Sequence, residues 1–490
     1  MSSPVWLASI SDPRTDRAEP LPVQLYKDIA SAVLDGRIGC GEHLPSSRQA
    51  AKALGVSRTT VTAAYELLAA EGIAAIRQGA VPTIIAPQAA PCETDAAVGP
   101  SVSERGMALG AGHLDRVPRP SSGALAPGGP DEGLFPADEW ARTLRRVARR
   151  PLGSAALYGA AHGVEALRRA LRDRLATDRG VRVDTDQIVI VPGTQAAVAL
   201  LAHALCDPGD VAALEDPGWP GARTACRGAG LTVVPLTVDR WGADPHTLPP
   251  DTRLTYLTPS NQYPLGTRLS QARRLAFLDR ARSAGAFIVE DDYDSDFHWS
   301  GGVIPALAAQ DHGGHVVLVG SASKTLLPAL RIGWMVVPPG LVDPIRAAQR
   351  SLGIVANVHA QLALAELMQT GRYRTQVRRI ARAYHERVRG LVDALADVSA
   401  ATVTLPDGGV HVTVRLAGEK VEATAVERLA RHGLTPGQLS DYCAGADHHG
   451  LVVGLGDATA TNVMTLRDVL LSLPDRTPDE AVDPMLAAKR

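Results

Sequence analysis

Between residue 134 and the C-terminus, short apolar segments alternate with segments of helical periodicity. The segment GVEALRRALRDRLATDRG places Leu167, Leu171 and Leu175 on one helical face, and SQARRLAFLDRARSAG is a second helical stretch. The apolar segments predict buried strands, and they are IVIVPG, VAALEDPG, LTVVPLTV, LTYLTPS, FIVEDDYD and HVVLVGS. Buried strands that alternate with helices form a mainly parallel sheet covered on both faces. We therefore predict an α/β domain, followed beyond about residue 405 by a smaller α/β unit with strands in GGVHVTVRLAG and LVVGLGD.

Residues 21–86 follow a different pattern, in which a short turn separates two capped helices. Ser46 or Ser47 is the predicted N-cap of RQAAKAL, Gly55 ends that helix, and Ser57 caps RTTVTAAYELLAAEG. The apolar faces of this unit are expected at Leu25, Ile29, Ala32, Val33, Val61, Ala64, Tyr65 and Leu68. Two short strands around Ala74 and Ile84 would form a wing. The arrangement predicts a winged helix-turn-helix.

The first turn of the second helix carries side chains that suit an interface with double-stranded DNA. Residues that open a recognition helix reach base edges, and Arg and Thr suit guanine and phosphate contacts. The predicted DNA-binding residues are Arg48, Ser57, Arg58, Thr59, Thr60 and Thr62. The formal net charge of the chain is −2, so a local patch must attract the DNA. An amphipathic helical hairpin without a DNA role is the alternative.

The length of 490 residues favours two or three domains. We assign residues 1–20 to an N-terminal extension, 21–86 to the winged helix-turn-helix, 87–130 to a linker rich in Pro, Gly and Ala, and 131–490 to the α/β domain, whose small subdomain spans about 375–475. Five cysteines without a CxxC pair indicate a reducing cytoplasm and no metal site. No apolar run reaches the ~18 residues that cross a bilayer, and no signal peptide is expected, so we predict a cytoplasmic protein.

Polar and aromatic side chains follow five of the predicted strands at their carboxyl ends, where sheets of this kind bind ligands. They are Thr194, Trp219, Asn261, Asp291 and Lys324. A lysine forms a Schiff base with an aldehyde cofactor if part of its amine stays unprotonated. An ordinary surface lysine is the alternative for Lys324, but the convergence of five such positions favours a binding site.

The residue types near these strand ends match the groups of pyridoxal 5′-phosphate (PLP). Asp291 would keep the pyridine nitrogen protonated, Tyr293 and either Asn261 or Tyr263 would bind the phenolic oxygen, and Trp219 would stack on the ring. The phosphate would be held by Thr194, Gln195, Ser321, Ser323 and Arg331. Alternatively, residues 291–294 would form a solvated turn or a divalent-ion site, and Trp219 would serve packing alone.

Several of these stretches resemble known families. LPSSRQAAKALGVSRTTVTAAYELLAAEG resembles the winged helix of GntR-type transcription regulators. LFPADEW, YGAAHGVEALR, EDPGWPGAR, TPSNQYPLGTRLSQARR, EDDYDSDF and GSASKTLLPALRIGW resemble the fold-type I aminotransferase domain that the MocR/GabR subgroup fuses to that winged helix. The resemblance implies Lys324 as the Schiff-base lysine, Asp291 on the pyridine nitrogen and Tyr293 on the phenolic oxygen. It also implies a head-to-tail homodimer in which Tyr158 reaches the phosphate from the partner subunit.

One departure from the aminotransferase pattern bears on function. Aminotransferases place an arginine in the late strand to bind the substrate carboxylate, but residues 451–456 contain none, and Arg415 lies on another predicted strand. The sequence therefore favours a transcription regulator that senses PLP or a small amino effector through Lys324, without physiological turnover. An active aminotransferase with an appended DNA-binding domain is the alternative, and a degenerate domain that only dimerises is the third possibility.

Overall fold

A computed structural model describes residues 19–77, 80–86, 103–107, 109, 123–157, 159–299 and 304–474. The chain divides into two compact units, Met1–Ser101 and Val102–Arg490, which are described separately. Most of the expected N-terminal extension and most of the expected linker lie outside the described residues.

The first unit is the winged helix-turn-helix that the sequence predicts. Its elements are α1 (Leu21–Leu34), α2 (Ser47–Leu54), α3 (Arg58–Ala70) and the antiparallel strands β1 (Ala74–Ala75) and β2 (Thr83–Ile84). Ser46 is the N-cap of α2, because its side chain and that of Gln49 form a reciprocal capping box. The hydroxyl of Ser57 caps α3 by accepting the backbone N–H of Thr60 at 3.1 Å. Both predicted helices therefore begin at a cap.

The core of this unit consists of the predicted apolar faces. Buried side chains include Leu25, Ile29, Ala32 and Val33 of α1 and Val61, Ala64, Tyr65 and Leu68 of α3. The hydroxyl of Tyr65 donates to the carbonyl of Pro45 at 3.0 Å, which ties α3 to the segment that leads into α2. Gln78 and Gly79 at the tip of the predicted wing lie outside the described residues.

The second unit is built on an eight-stranded sheet. In chain order its strands are β3 (Ile188–Val191), β4 (Val211–Asp216), β5 (Thr232–Asp239), β6 (Gly242–Ala243), β7 (Thr252–Leu257), β8 (Phe287–Asp292), β9 (Val316–Ser321) and β10 (Gly333–Val336). Their order across the sheet is β3-β10-β9-β8-β7-β4-β5-β6. Strands β9, β8, β7, β4 and β5 pair in parallel, whereas β10 is antiparallel to β3 and β9, and β6 is antiparallel to β5. The mainly parallel sheet is confirmed, with β10 inserted between two predicted strands.

Helices cover both faces of this sheet. They include α4 (Ala137–Ala148), α5 (Glu165–Asp178), α6 (Thr194–Leu205), α7 (Pro220–Gly228), α8 (Gln271–Ala284), α9 (Val342–Ser351) and α10 (Val358–Gln369). Alternate side chains of β3 point to opposite faces of the sheet. Val189 and Val191 pack with α6, whereas Ile188 and Ile190 pack with α5. In the described part of the chain, no helix is both long enough and apolar enough to cross a membrane.

The predicted smaller unit is a four-stranded antiparallel sheet. Its strands are β11 (Ala401–Val403), β12 (His411–Leu416), β13 (Gly437–Gln438) and β14 (Gly450–Gly454), in the order β11-β12-β14-β13. Helices α11 (Arg372–Leu395), α12 (Glu419–Arg431) and α13 (Ala460–Leu471) bury their apolar faces against it.

Residues 123–130, expected at the end of the linker, pack into this smaller unit. Leu125 is 0% exposed within its core. The carbonyl of Leu125 accepts the N–H of Gly454 at 2.9 Å, and Ala124 forms a parallel bridge with Leu434. A single leucine among Pro, Gly and Ala carries no periodic signal, so no local sequence pattern points to this packing.

We expect Leu125→Ala to destabilise the second unit by roughly 2–5 kcal/mol, because the truncation leaves a cavity in a closed core. The free energy of unfolding, measured by urea denaturation, reports the change. Leu405→Ala is the matched control, because Leu405 is 42% exposed. Equal effects of the two substitutions would show that residues 123–130 are not part of the core in solution.

Candidate functional site

The carboxyl ends of five strands of the large sheet meet at one edge. Thr194 begins the helix after β3, Trp219 follows β4, and Asn261 follows β7. Asp291 is the penultimate residue of β8, and Lys324 follows β9. Because β9, β8, β7 and β4 are parallel neighbours, the loops after them open on the same side. The convergence that the sequence predicts is therefore present in the fold.

Lys324 is half-buried at this edge. Its Nζ donates to the carbonyl of Gly128 at 2.7 Å. Burial lowers the pKa of the Lys324 amine, and the carboxyl groups of Asp291 and Asp294 oppose that shift. A lowered pKa increases the neutral fraction of the amine, which is the form that reacts with a carbonyl group.

Asp291 is the buried carboxylate of the site, with 5% of its surface exposed. Its Oδ2 accepts the hydroxyl of Tyr256 at 2.5 Å, whereas its Oδ1 is buried and has no hydrogen-bond partner among the described residues. Burial raises the pKa of Asp291 to about 7, against the lowering effects of Tyr256 and Lys324. An unpaired buried acceptor of this kind is suited to a donor supplied by a ligand.

Tyr293 and Asn261 lie in direct contact. The Tyr293 hydroxyl donates to the Asn261 carbonyl at 3.0 Å, and Asn261 Nδ2 lies 3.2 Å from the same hydroxyl. Asn261 Nδ2 also donates to Oδ2 of Asp294 at 2.5 Å, and burial raises the pKa of Asp294 to about 8. Tyr263, the alternative partner, contacts Tyr293 only through an edge-to-face ring pair at 5.7 Å.

Trp219 packs beside Tyr256, with ring centroids 6.2 Å apart and planes inclined by 34°. It immediately precedes α7. Gln195, in the first turn of α6, donates from Nε2 to the carbonyl of Gly221 at 2.9 Å. These contacts bring the loop after β4 against the start of α6, so that Gln195 holds the turn that follows Trp219.

Strand β10 brings the ends of β3 and β9 together, because Gly333 pairs with both Val191 and Ser321. The Ser321 hydroxyl donates to the Ser323 hydroxyl at 2.7 Å and accepts the backbone N–H of Ser323 at 3.0 Å. The hydroxyl groups predicted to bind phosphate are therefore neighbours.

Arg331 lies over the loop that precedes α6. A Cβ atom built on Gly193 would be 3.5 Å from a guanidinium nitrogen of Arg331, and Gly193 has a φ of 130°. Thr194 is the first residue of α6, whose N-terminal backbone N–H groups carry partial positive charge. Arg331 and this helix start form a cationic edge suited to a phosphate group. Tyr158, the remaining predicted phosphate contact, lies outside the described residues.

The sequence matches two protein families in succession. "Bacterial regulatory proteins, gntR family" matches residues 21–81, and "Aminotransferase class I and II" matches residues 127–437. The probable rhizopine catabolism regulatory protein MocR of Rhizobium meliloti is 37% identical over 77% of each chain. The HTH-type pyridoxine biosynthesis transcriptional regulator PdxR of Corynebacterium glutamicum is 29% identical over 93% of this chain and 95% of its own. This chain belongs to the MocR-type transcription regulators.

Solved structures agree on the fold of the second unit. The kynurenine aminotransferase of Pyrococcus horikoshii superposes with a TM-score of 0.64 at 23% identity, covering 77% of the regulator and 96% of the enzyme. An archaeal alanine:glyoxylate aminotransferase gives a TM-score of 0.67 at 22% identity, covering 76% of the regulator and 95% of the enzyme. The regulator thus joins a DNA-binding winged helix to a PLP-binding domain of aminotransferase fold.

The groups at the strand ends fit PLP. Oδ1 of Asp291, which is buried and has no partner among the described residues, would suit a pyridine N–H, and the lowered pKa of Lys324 favours the neutral amine that an aldehyde requires. Ser321, Ser323 and Arg331 offer donors of the type that binds phosphate. Sequence reasoning missed Tyr256, Asp294 and Gly128, because their roles arise from neighbours distant in the chain. Among the described residues, no group of three or more His, Cys, Asp or Glu side chains could hold a metal ion.

The predicted DNA-binding residues lie at the start of α3 and on α2. Arg48, Arg58, Thr59 and Thr62 are exposed. Arg58 Nε donates to the Ser47 hydroxyl at 3.2 Å, which holds the guanidinium between the two helices of the motif. The hydroxyl of Ser57 already bonds with the hydroxyl groups of Thr59 and Thr60 at 2.7 and 2.8 Å. Ser57 is thus engaged in capping, whereas Arg48 and Arg58 are exposed and carry further N–H donors that could contact DNA.

We expect Asp291→Asn to change how stability depends on pH. The folded apoprotein holds a proton on Asp291 up to pH about 7, whereas the unfolded chain loses it near the ordinary pKa of 3.8. The contribution of Asp291 to the free energy of unfolding of the wild type therefore falls between those pH values and is level above them. Asparagine cannot ionise, so the variant should gain roughly 1–4 kcal/mol relative to wild type across this interval.

Urea denaturation of the apoproteins at a series of pH values measures this difference. Asp279→Asn is the matched control, because the Asp279 side chain on α8 is 70% exposed. A constant difference between wild type and Asp291→Asn from pH 4 to 7 would show that Asp291 does not hold a proton in that range.

Proposed function

We propose that the regulator senses PLP, or a small amino compound that reacts with it, at Lys324 and transmits the signal to its DNA-binding unit. The observation that carries the proposal is the pairing of a lysine of lowered pKa with a buried carboxylate whose Oδ1 has no partner in the part of the chain that the structure describes. These groups lie in a chain whose first unit has an exposed arginine at the start of a recognition helix. The presence of a ligand site and a DNA-binding unit on one chain supports the control of DNA binding by a ligand.

When bound, PLP supplies an aldehyde that bonds reversibly to amines. Asp291 would accept the pyridine N–H, and the hydrogen bond from the Tyr256 hydroxyl holds the orientation of that carboxyl group. Tyr293 and Asn261, which contact each other, would bind the phenolic oxygen. The Lys324 amine donates to the Gly128 carbonyl, so a change at this amine would be transmitted to residues 123–130.

The end of β14 favours sensing over turnover. Residues 451–456 carry no arginine, and the backbone of residues 126–130 runs directly against this segment. A Cβ atom on Gly454 would clash with the carbonyl of Ala126, and one on Gly456 with the carbonyl of Gly129. No side chain can therefore reach from these two positions to bind a substrate carboxylate. The site lacks the charge-assisted clamp that ordinary amino-acid turnover requires there.

We further propose that the regulator acts as a head-to-tail homodimer on operator DNA in the cytoplasm. Two helix-turn-helix motifs in a dimer read two half-sites whose spacing is set by the distance between the motifs. A ligand that binds one arrangement of the dimer more tightly than another shifts the balance between them. The expected linker would allow the winged helix-turn-helix of each subunit to change position.

We expect Lys324→Ala to abolish covalent attachment of PLP. Borohydride reduction should fix about one PLP per wild-type chain, detected by mass spectrometry after denaturation, and none on the variant. Lys420→Ala on α12 is the matched control and should retain attachment. Equal labelling of wild type and Lys324→Ala would overturn the assignment of Lys324.

We expect Arg58→Ala to weaken operator binding by roughly 1–3 kcal/mol, because it removes a positive side chain from the start of the recognition helix. Fluorescence anisotropy with a duplex selected from a random library by the wild-type protein measures the affinity. Lys27→Ala on α1 controls for net charge, because its ammonium group is half exposed and pairs with Glu19. Equal losses in the two variants would indicate a general charge effect in place of a contact by Arg58.

A further inference from the structure

A cavity of about 510 Å³ lies within the second unit, beside the turn at residues 262–267. Its walls are that turn, Arg240 and Trp241 after β5, the segment between β11 and β12, and one face of β12. Lys324 and Asp291 are not among its lining residues. The cavity is therefore distinct from the PLP site, and its volume is typical of sites for small molecules.

Four arginines contribute to the lining of the cavity. Arg240, Arg268, Arg274 and Arg415 line it, and Asp407 is the one carboxylate among its described lining residues. The Asp407 carboxylate is 3.6 Å from the guanidinium of Arg268, which is a long ion pair. The side chains that line the cavity therefore carry an excess of positive charge over negative charge, which favours an anionic ligand.

Two of the lining residues have buried polar atoms without hydrogen-bond partners among the described residues. They are the Thr267 hydroxyl and Nε of Arg268, which are adjacent in the chain. Both atoms are closed off from solvent, so they lie behind the cavity wall, and only the terminal nitrogens of Arg268 are left to reach a ligand. By contrast, Arg274 donates to the carbonyls of Leu269, Pro259 and Pro305, so its role is to hold the wall.

The remaining walls are apolar. Trp241 and Leu405 are 51% and 42% exposed, and Pro264, Leu265 and Pro406 line the cavity with them. Arg240 lies over the indole of Trp241, with 5.4 Å between the guanidinium carbon and the ring centroid. The cavity thus offers oxyanion-binding donors next to a surface for an apolar or aromatic group.

We propose that this cavity binds a small organic acid, in which a carboxylate or phosphate group is attached to an apolar body. The oxyanion binds the guanidinium groups of Arg268 and Arg415, and the apolar body packs against Trp241 and Leu405. The proposal does not rest on the assignment of Lys324, because Lys324 is not among the residues that line the cavity.

Isothermal titration calorimetry with the full-length protein, saturated with PLP so that its phosphate-binding groups are occupied, tests the proposal. Benzoate and phenyl phosphate are the probes, and benzamide is the uncharged match. We expect saturable binding of one anion per chain and none of benzamide. Binding of benzoate alone identifies a carboxylate ligand, and binding of phenyl phosphate alone identifies a phosphate ester.

Two variants localise the binding. Arg268→Gln should weaken it about ten-fold, because it removes a charge-assisted hydrogen bond. Thr404→Trp should abolish binding, because the indole would fill the cavity. The fold should tolerate this substitution, because Thr404 is exposed. Arg282→Gln is the matched control, since its side chain on α8 is 59% exposed and outside the cavity. No saturable binding to wild type, or wild-type affinity in Thr404→Trp, would overturn the proposal.

Discussion

The parallel register of β9, β8, β7 and β4 is the constraint on which the rest of the second unit depends. The carboxyl ends of parallel neighbouring strands lie at the same edge of a sheet. The side chains that follow these strands, Lys324, Asp291, Asn261 and Trp219, therefore converge although they are far apart in the chain. The antiparallel insertion of β10 then joins the end of β3 to the end of β9 through Gly333. The proposed ring site and the proposed phosphate site thus share one scaffold.

Burial gives these groups their chemistry. The pKa values of Glu215 and Asp291 are both raised to about 7, with burial as the leading cause in each. The same burial lowers the pKa of Lys324, so amine and carboxyl groups are both pushed towards their neutral forms. A cofactor with a protonated ring nitrogen and an aldehyde would supply the partner that each of these two groups favours.

The turn at residues 262–267 has one side on each of the two proposed sites. It is closed by hydrogen bonds from Gln262 N to the Thr267 carbonyl at 2.8 Å and from Gly266 N to the Gln262 carbonyl at 2.7 Å. Asn261 precedes it and contacts Tyr293, while Thr267 lines the cationic cavity. His411 and Thr413 of β12 bond to its Pro264 carbonyl at 2.9 and 2.6 Å. An anion in the cavity and a ligand on the PLP site would therefore act on one element.

The sequence alone determined the helix-turn-helix, the caps at Ser46 and Ser57, the order of strands and helices, and the residues at the strand ends. Each of these follows from local patterns of period, capping and chain order, and the residue types at the strand ends, together with the family resemblance, indicated PLP. Only the tertiary structure decided what lies across from each residue. It placed Tyr256 on Asp291, Gly128 on Lys324, Leu125 in a core and four arginines around one cavity. These pairings join residues far apart in the chain, and no periodicity in a single sequence records them.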